Sequence, residues 1–209
     1  MQSNPGIYVS QLTHYLAAKT APEADRAVAA IRDQLANDYE HWKDHWKPVK
    51  DALLRDRRGS RDGHALADIV DRAPVSRQAS YAAAAERWAQ LTGWWHGLEH
   101  ERLGTRTVQV GGLTVKVPRL CAERHPGGEL EVLYVRFNQD RLPLHVVYGV
   151  MRIVQLAHPA ADITFVDVYQ RATYSSRGRD LTVYDAWLTQ AGTDLAQLLM
   201  SGQSQATAA

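Results

Sequence analysis

Two pairs of histidines offer coordination chemistry. Glu40-His41-Trp42-Lys43-Asp44-His45 and His96-Gly97-Leu98-Glu99-His100 each place two imidazoles four residues apart. On a helix that spacing stacks both rings on one face, as in helical zinc sites. If the two segments pack together, His41, His45, His96 and His100 surround one Zn or Fe ion, and the chain is a metal-dependent hydrolytic or oxidative enzyme. The competing reading is structural. Trp42, Trp46 and Trp95 claim the buried faces, Gly97 weakens the helix, and the histidines flank an aromatic cluster.

Carboxylates and guanidiniums form the second set. Glu123, Glu131 and Asp167 stand in or beside apolar stretches, where acids can hold a hard cation such as Mg²⁺ through oxygen. Arg136 and Asp167 are each a lone charge in an apolar run, and a buried charge left unpaired is costly, so neighbouring strands are expected to pair them. Arg55, Arg57, Arg58 and Arg61 crowd the string RDRRGSR, while Arg171, Arg177 and Arg179 follow the last strand-like segment. Either group, with Arg119, could contact phosphates; the bland alternative is a solvated loop. The single cysteine, Cys121, excludes an intramolecular disulfide and a multi-cysteine zinc site, and reads as an inert, partly buried thiol. No phosphate-cradling glycine loop, dinucleotide fingerprint or nucleophile elbow is present.

The elements that would position these residues follow from periodicity. Residues 7–18 read as a short helix. Thr20, Pro22 and Glu23 open a longer one whose stripe of Val28, Ile31, Leu35, Tyr39, Trp42 and Trp46 runs to Pro48, which kinks it or starts a new helix. Arg55–Arg61 reads as an exposed loop, Ala65–Val70 as a short helix, and Ser76 as the cap of a helix from Arg77 to about Arg102. Beyond Gly104 the apolar period becomes two. Thr107–Val110, Gly111-Gly112 and Leu113–Val117 make a hairpin, and Pro118 interrupts its second strand. A turn at His125–Gly128 leads into Leu130–Phe137, apolar on both faces like a covered central strand. The apolar helix Leu142–Leu156 and the strand Ile163–Val168 complete a strand–helix–strand crossover with parallel strands. An amphipathic helix spans Leu181–Met200.

Helix, three strands, helix and strand in that order, over roughly residues 77–170, resemble the core of the PD-(D/E)XK nuclease superfamily. The resemblance is topological. It implies an acid after a proline near the end of the second core strand and a D/E-x-K pair on the third, which together hold Mg²⁺ and position water. Pro118 is present, but Arg119 stands where the acid would be. Glu131-Val132-Leu133 lacks the lysine, and the nearest base on that strand is Arg136. What the resemblance implies is therefore a degenerate core, with Glu123, Glu131 and Asp167 as the acids left for a migrated metal site. His96-Gly97-Leu98-Glu99-His100 also matches the H-x-x-E-H string of the inverted zinc proteases, without a downstream glutamate to serve as third ligand.

Charge and composition narrow the options. Lys and Arg number 24 against 23 Asp and Glu, so any nucleic-acid surface must be a local patch. No run approaches the roughly 18 apolar residues of a membrane helix, and residues 1–6 lack the pattern of a signal peptide. A reducing cytoplasmic setting is expected. The expected fold is α/β (α+β): a helical N-terminal region, 1–75, packed on a small mixed sheet within 76–200, then a disordered tail, 201–209. The expected function is a nucleic-acid-associated accessory protein contacting phosphates through Arg57, Arg58, Arg61, Arg119, Arg177 and Arg179. The alternatives are the histidine metal enzyme and a protein-interaction module that uses exposed tryptophans and the last helix.

Overall fold

The computed structural model describes residues 4–37, 45–91, 95 and 97–206, with side chains through Ser201. In chain order it forms β1 (Gly6–Tyr8), α1 (Val9–Leu16), α2 (Ala21–Ala36), α3 (Lys47–Arg58), α4 (His64–Arg72), α5 (Val75–Leu91), β2 (Glu99–Arg102) and β3 (Arg106–Val110). There follow β4 (Leu113–Val117), β5 (Cys121–Arg124), β6 (Leu130–Arg136), α6 (Leu144–Ala157), β7 (Ala161–Asp167), β8 (Ala172–Ser175) and α7 (Asp185–Ala206).

The strands make two sheets, ordered β1-β4-β3 and β2-β5-β6-β7-β8, so the fold is α/β with mixed sheets. In the larger sheet β6 and β7 are parallel, joined through α6, and the other neighbours are antiparallel. The crossover read from the sequence is therefore present, with Val132 opposite Ile163 and Tyr134 opposite Phe165. Both faces of this sheet are covered, which is why its central strands read as unbroken apolar runs. Ala122, Val132, Tyr134, Ile163 and Phe165 face a core completed by α1, α6, α7 and the smaller sheet. Cys121, Leu133, Phe137, Val166 and Val168 face a second core supplied by α3, α4 and α5 through residues such as Leu53, Leu66, Tyr81 and Trp88.

Several expectations are corrected. The hairpin β3–β4 forms with the register Val110 to Leu113, but it belongs to the smaller sheet, where β1 pairs with β4 in parallel. Strand β4 ends before Pro118, whose missing N–H cannot extend the ladder, and Pro118–Leu120 carry the chain into the larger sheet. The first two strands of the helix–strand–strand–strand–helix–strand order are thus β2 and β5, with the hairpin inserted between them. The helix expected to run to Arg102 is α5, which ends at Leu91; Gly97 sits at φ +81°, a left-handed backbone that no α-helix contains, and Glu99–Arg102 are extended. Residues 6–8 are a strand ahead of α1. Helix α2 ends at Ala36, so Leu35 is the last residue of the expected stripe on it; Tyr39 and Trp42 lie outside the described residues. Pro48 opens the separate helix α3, α7 starts at Asp185, and its backbone continues through the first residues of the expected tail to Ala206.

Candidate functional site

Helix α3 buries Val49, Ala52, Leu53, Asp56 and Arg57, a single stripe at three- and four-residue spacing. Its last two members are charged, and they build the site. Asp56 fixes the turn after the helix: its backbone carbonyl accepts Arg61 N–H at 3.2 Å, and its carboxylate accepts Gly63 N–H at 2.8 Å. Arg61 is held there at φ +58°, a conformation that costs a non-glycine residue about 1–2 kcal/mol. The turn directs Arg61 and Arg57 together onto the sheet, where they meet Glu123 on β5.

Glu123 has no exposed surface. Arg57 Nε donates to its Oε1 at 2.8 Å, and an Arg61 terminal amine donates to Oε2 at 3.1 Å. The same two guanidiniums donate to the Trp95 carbonyl, at 2.8 and 3.1 Å. Arg57 and Glu123 are thus desolvated together and hydrogen-bonded, which is the condition for a buried ion pair to be tolerated, while Arg61 keeps part of its surface in water. Glu131 on β6 is the register partner of Glu123. It is satisfied differently: Trp95 Nε1 donates to Oε2 at 3.0 Å, His125 Nε2 lies 3.0 Å from the same oxygen, and the Thr164 hydroxyl donates to Oε1. Trp95 therefore ties the two acids together, receiving the arginines of one and donating to the other.

His100, opposite Glu123 on β2, completes the group. His100, Cys121 and Glu123 offer a nitrogen, a sulfur and an oxygen that all lie within 4.8 Å of one another, the group of three such ligands found among the described residues. The donor set does not fit a divalent cation as it stands, because two guanidiniums fixed on Glu123 already neutralise it and would repel the ion. Burial, with Glu123 adding to it, pushes the Cys121 thiol up to about 12, so it is not a thiolate at neutral pH. Burial pushes the His100 imidazole below its ordinary value, and Arg58, Arg61 and Arg57 push it the same way.

The remaining sequence candidates are distributed as follows. Asp167 is not part of this cluster. It lies five positions along β7 from Asp162, the partner of Glu131, which is roughly 16 Å at ~3.3 Å per residue. It pairs with Arg136 at 3.2 Å, as expected, and Arg136 also reaches Asp140 at 2.8 Å. Arg57 is not on an exposed loop, since α3 extends to Arg58 and Arg57 is 1% exposed. Arg177 lies at the cluster's end of the sheet but is paired to Asp162 at 2.9 Å. Arg179 lies over the Tyr148 ring at 5.1 Å, on the α6 side. Arg119 is exposed in the link between the sheets, toward the opposite end. Of the four histidines proposed as one metal site, His41 and His96 lie outside the described residues. His45 bonds Ser80 at 3.0 Å and packs on Tyr81, and it is absent from the ligand group that contains His100.

No family model matches the chain, and no curated protein does. A solved structure described as the crystal structure of SSO0001 is similar at 17% identity with a TM-score of 0.39, covering 95% of this chain and 78% of that one.

Proposed function

We propose that the protein is a nucleic-acid-associated accessory protein built on a nuclease-like core that has lost its metal chemistry. The observation that carries this reading is the register pair Glu123–Glu131 on adjacent central strands, with Arg57 and Arg61 clamped on Glu123. With β5 as the second core strand and β6 as the third, Glu123 takes the place of the second-strand acid and Glu131 opens the third-strand motif. Leu133 then stands in the lysine position and is fully buried. Where related cores hold Mg²⁺ between carboxylates, two guanidiniums here supply the positive charge permanently. They neutralise Glu123 and repel a cation, and the lysine position offers no base to activate water.

What remains is a charged cluster at one end of the sheet with Arg58 exposed beside it, and the reading assigns it a phosphate-contacting role. The test is fluorescence anisotropy with labelled single- and double-stranded DNA at low and moderate salt, alongside incubation with Mg²⁺ and Mn²⁺. Expected are binding that weakens as salt is raised and no cleavage with either metal. Absence of binding at low salt overturns the nucleic-acid role; metal-dependent cleavage abolished by Glu123→Gln overturns the degenerate one.

A further inference from the structure

A surface cleft of about 520 Å³ opens beside the buried cluster, between the last turn of α3 with Arg61 and the start of β2; Arg57, Arg58, Arg61, Leu98, Glu99 and His100 line it. The cleft is shallow and open to solvent. Two of its groups have hydrogen-bonding capacity left over. Arg58 is exposed and donates Nε to His100 Nε2 at 3.2 Å, while its two terminal amines have no hydrogen bond to the described residues. The His100 side chain is only 8% exposed, and its Nδ1 is buried with no hydrogen-bond partner; the nearest carboxylate oxygen, on Glu123, is 4.0 Å away. Because Nε2 accepts from a guanidinium, the proton of the neutral ring is on Nδ1, a buried position near the Ala122 backbone.

The charges around the cleft point to one kind of ligand. Arg57, Arg58 and Arg61 face Glu123 beneath and Glu99 on the wall, an excess of one positive charge. A duplex backbone carries a charge every ~1.7 Å, and Glu99, with the exposed Asp62 just past Arg61, would repel the phosphates on either side of a bound one. We propose that this cleft binds a single phosphate monoester, with the free amines of Arg58 as a two-pronged donor. Resting on the nucleic-acid reading above, the monoester is the end of a strand, not an internal phosphodiester.

The test compares the affinity of the full chain for one short single-stranded DNA carrying a 5′ phosphate, a 3′ phosphate or neither. Inorganic phosphate serves as competitor and as an additive in thermal unfolding. One of the phosphorylated strands is expected to bind roughly tenfold tighter or more than the bare one, the scale of charge-assisted bonds to a guanidinium. Inorganic phosphate should erase the difference, and Arg58→Gln should abolish it while leaving the unfolding midpoint of the free protein unchanged. Equal affinities for all three strands overturn the strand-end assignment. If no strand binds, yet inorganic phosphate raises the unfolding midpoint of the wild type and not of Arg58→Gln, the nucleic-acid reading fails and the monoester cleft stands. If phosphate protects neither, the cleft proposal fails.

Discussion

At the scale of single residues, the site is one buried carboxylate held by two guanidiniums. Glu123 has its whole carboxylate occupied by Arg57 and Arg61, and both arginines also bind the Trp95 carbonyl. Removing the Glu123 charge leaves the Arg57 guanidinium buried without a carboxylate partner, which costs about 3–5 kcal/mol. Glu123→Gln is therefore expected to lower the urea unfolding free energy by that amount. A loss below about 1 kcal/mol would show that the pair is solvated and the cluster weak. The double variant Arg57→Met with Glu123→Leu should cost less than the two single changes together, because it removes both charges at once. Part of this was legible. The stripe Val49, Ala52, Leu53 continues in phase to Asp56 and Arg57, so a helix extended by one turn brings two charges into the core, where they need partners. The string RDRRGSR reads as a loop on composition, and composition hid the periodicity. Glu123 gave no such signal, since nothing local says that Cys121–Arg124 is covered on both faces.

At the scale of elements, the legible pieces were those with long apolar stretches. Strand β6, helix α6 and strand β7 each bury an extensive surface and sit within two residues of where the pattern put them. Strand β2, Glu-His-Glu-Arg, holds no apolar residue and is an edge strand, so alternation could not mark it. The hairpin was recognised, yet its sheet was not, because that depends on a three-residue partner a hundred positions away, β1. Its docking on α7 depends on a close backbone approach. A Cβ at Gly192 would collide with the carbonyl of Val110, and Gly192 is buried at that contact. Although alanine favours helix, Gly192→Ala should push α7 off the hairpin and destabilise the protein by about 1–3 kcal/mol, read as a lowered thermal midpoint. An unchanged or raised midpoint would mean that α7 packs more loosely than described.

At the scale of the molecule, the charges nearly cancel, and no described helix is long and apolar enough to cross a membrane. What distinguishes the whole is where its titratable groups are buried. His100 on β2 and His158 at the end of α6 are pushed below the ordinary histidine value, in each case first by burial. Positive neighbours add to the effect at both. A histidine whose folded pKa is depressed binds its proton more readily when unfolded. Its contribution is full above the unfolded value, about 6.5, and is lost as pH falls below that value toward the folded one. Asp167 opposes them: burial raises its pKa despite Arg136, so it destabilises the fold above the folded value and relents on acidification. The loss at the two buried histidines begins at about 6.5, on the neutral side of the carboxylate range. The thermal midpoint should therefore fall as pH drops from about 7.5 to 5.5, before the bulk of the carboxylates protonate. His158→Gln removes a buried ring whose Nε2 has no hydrogen-bond partner, and it should flatten that slope. A midpoint that holds steady across the window, or rises, would place these rings in contact with water and not in the interior.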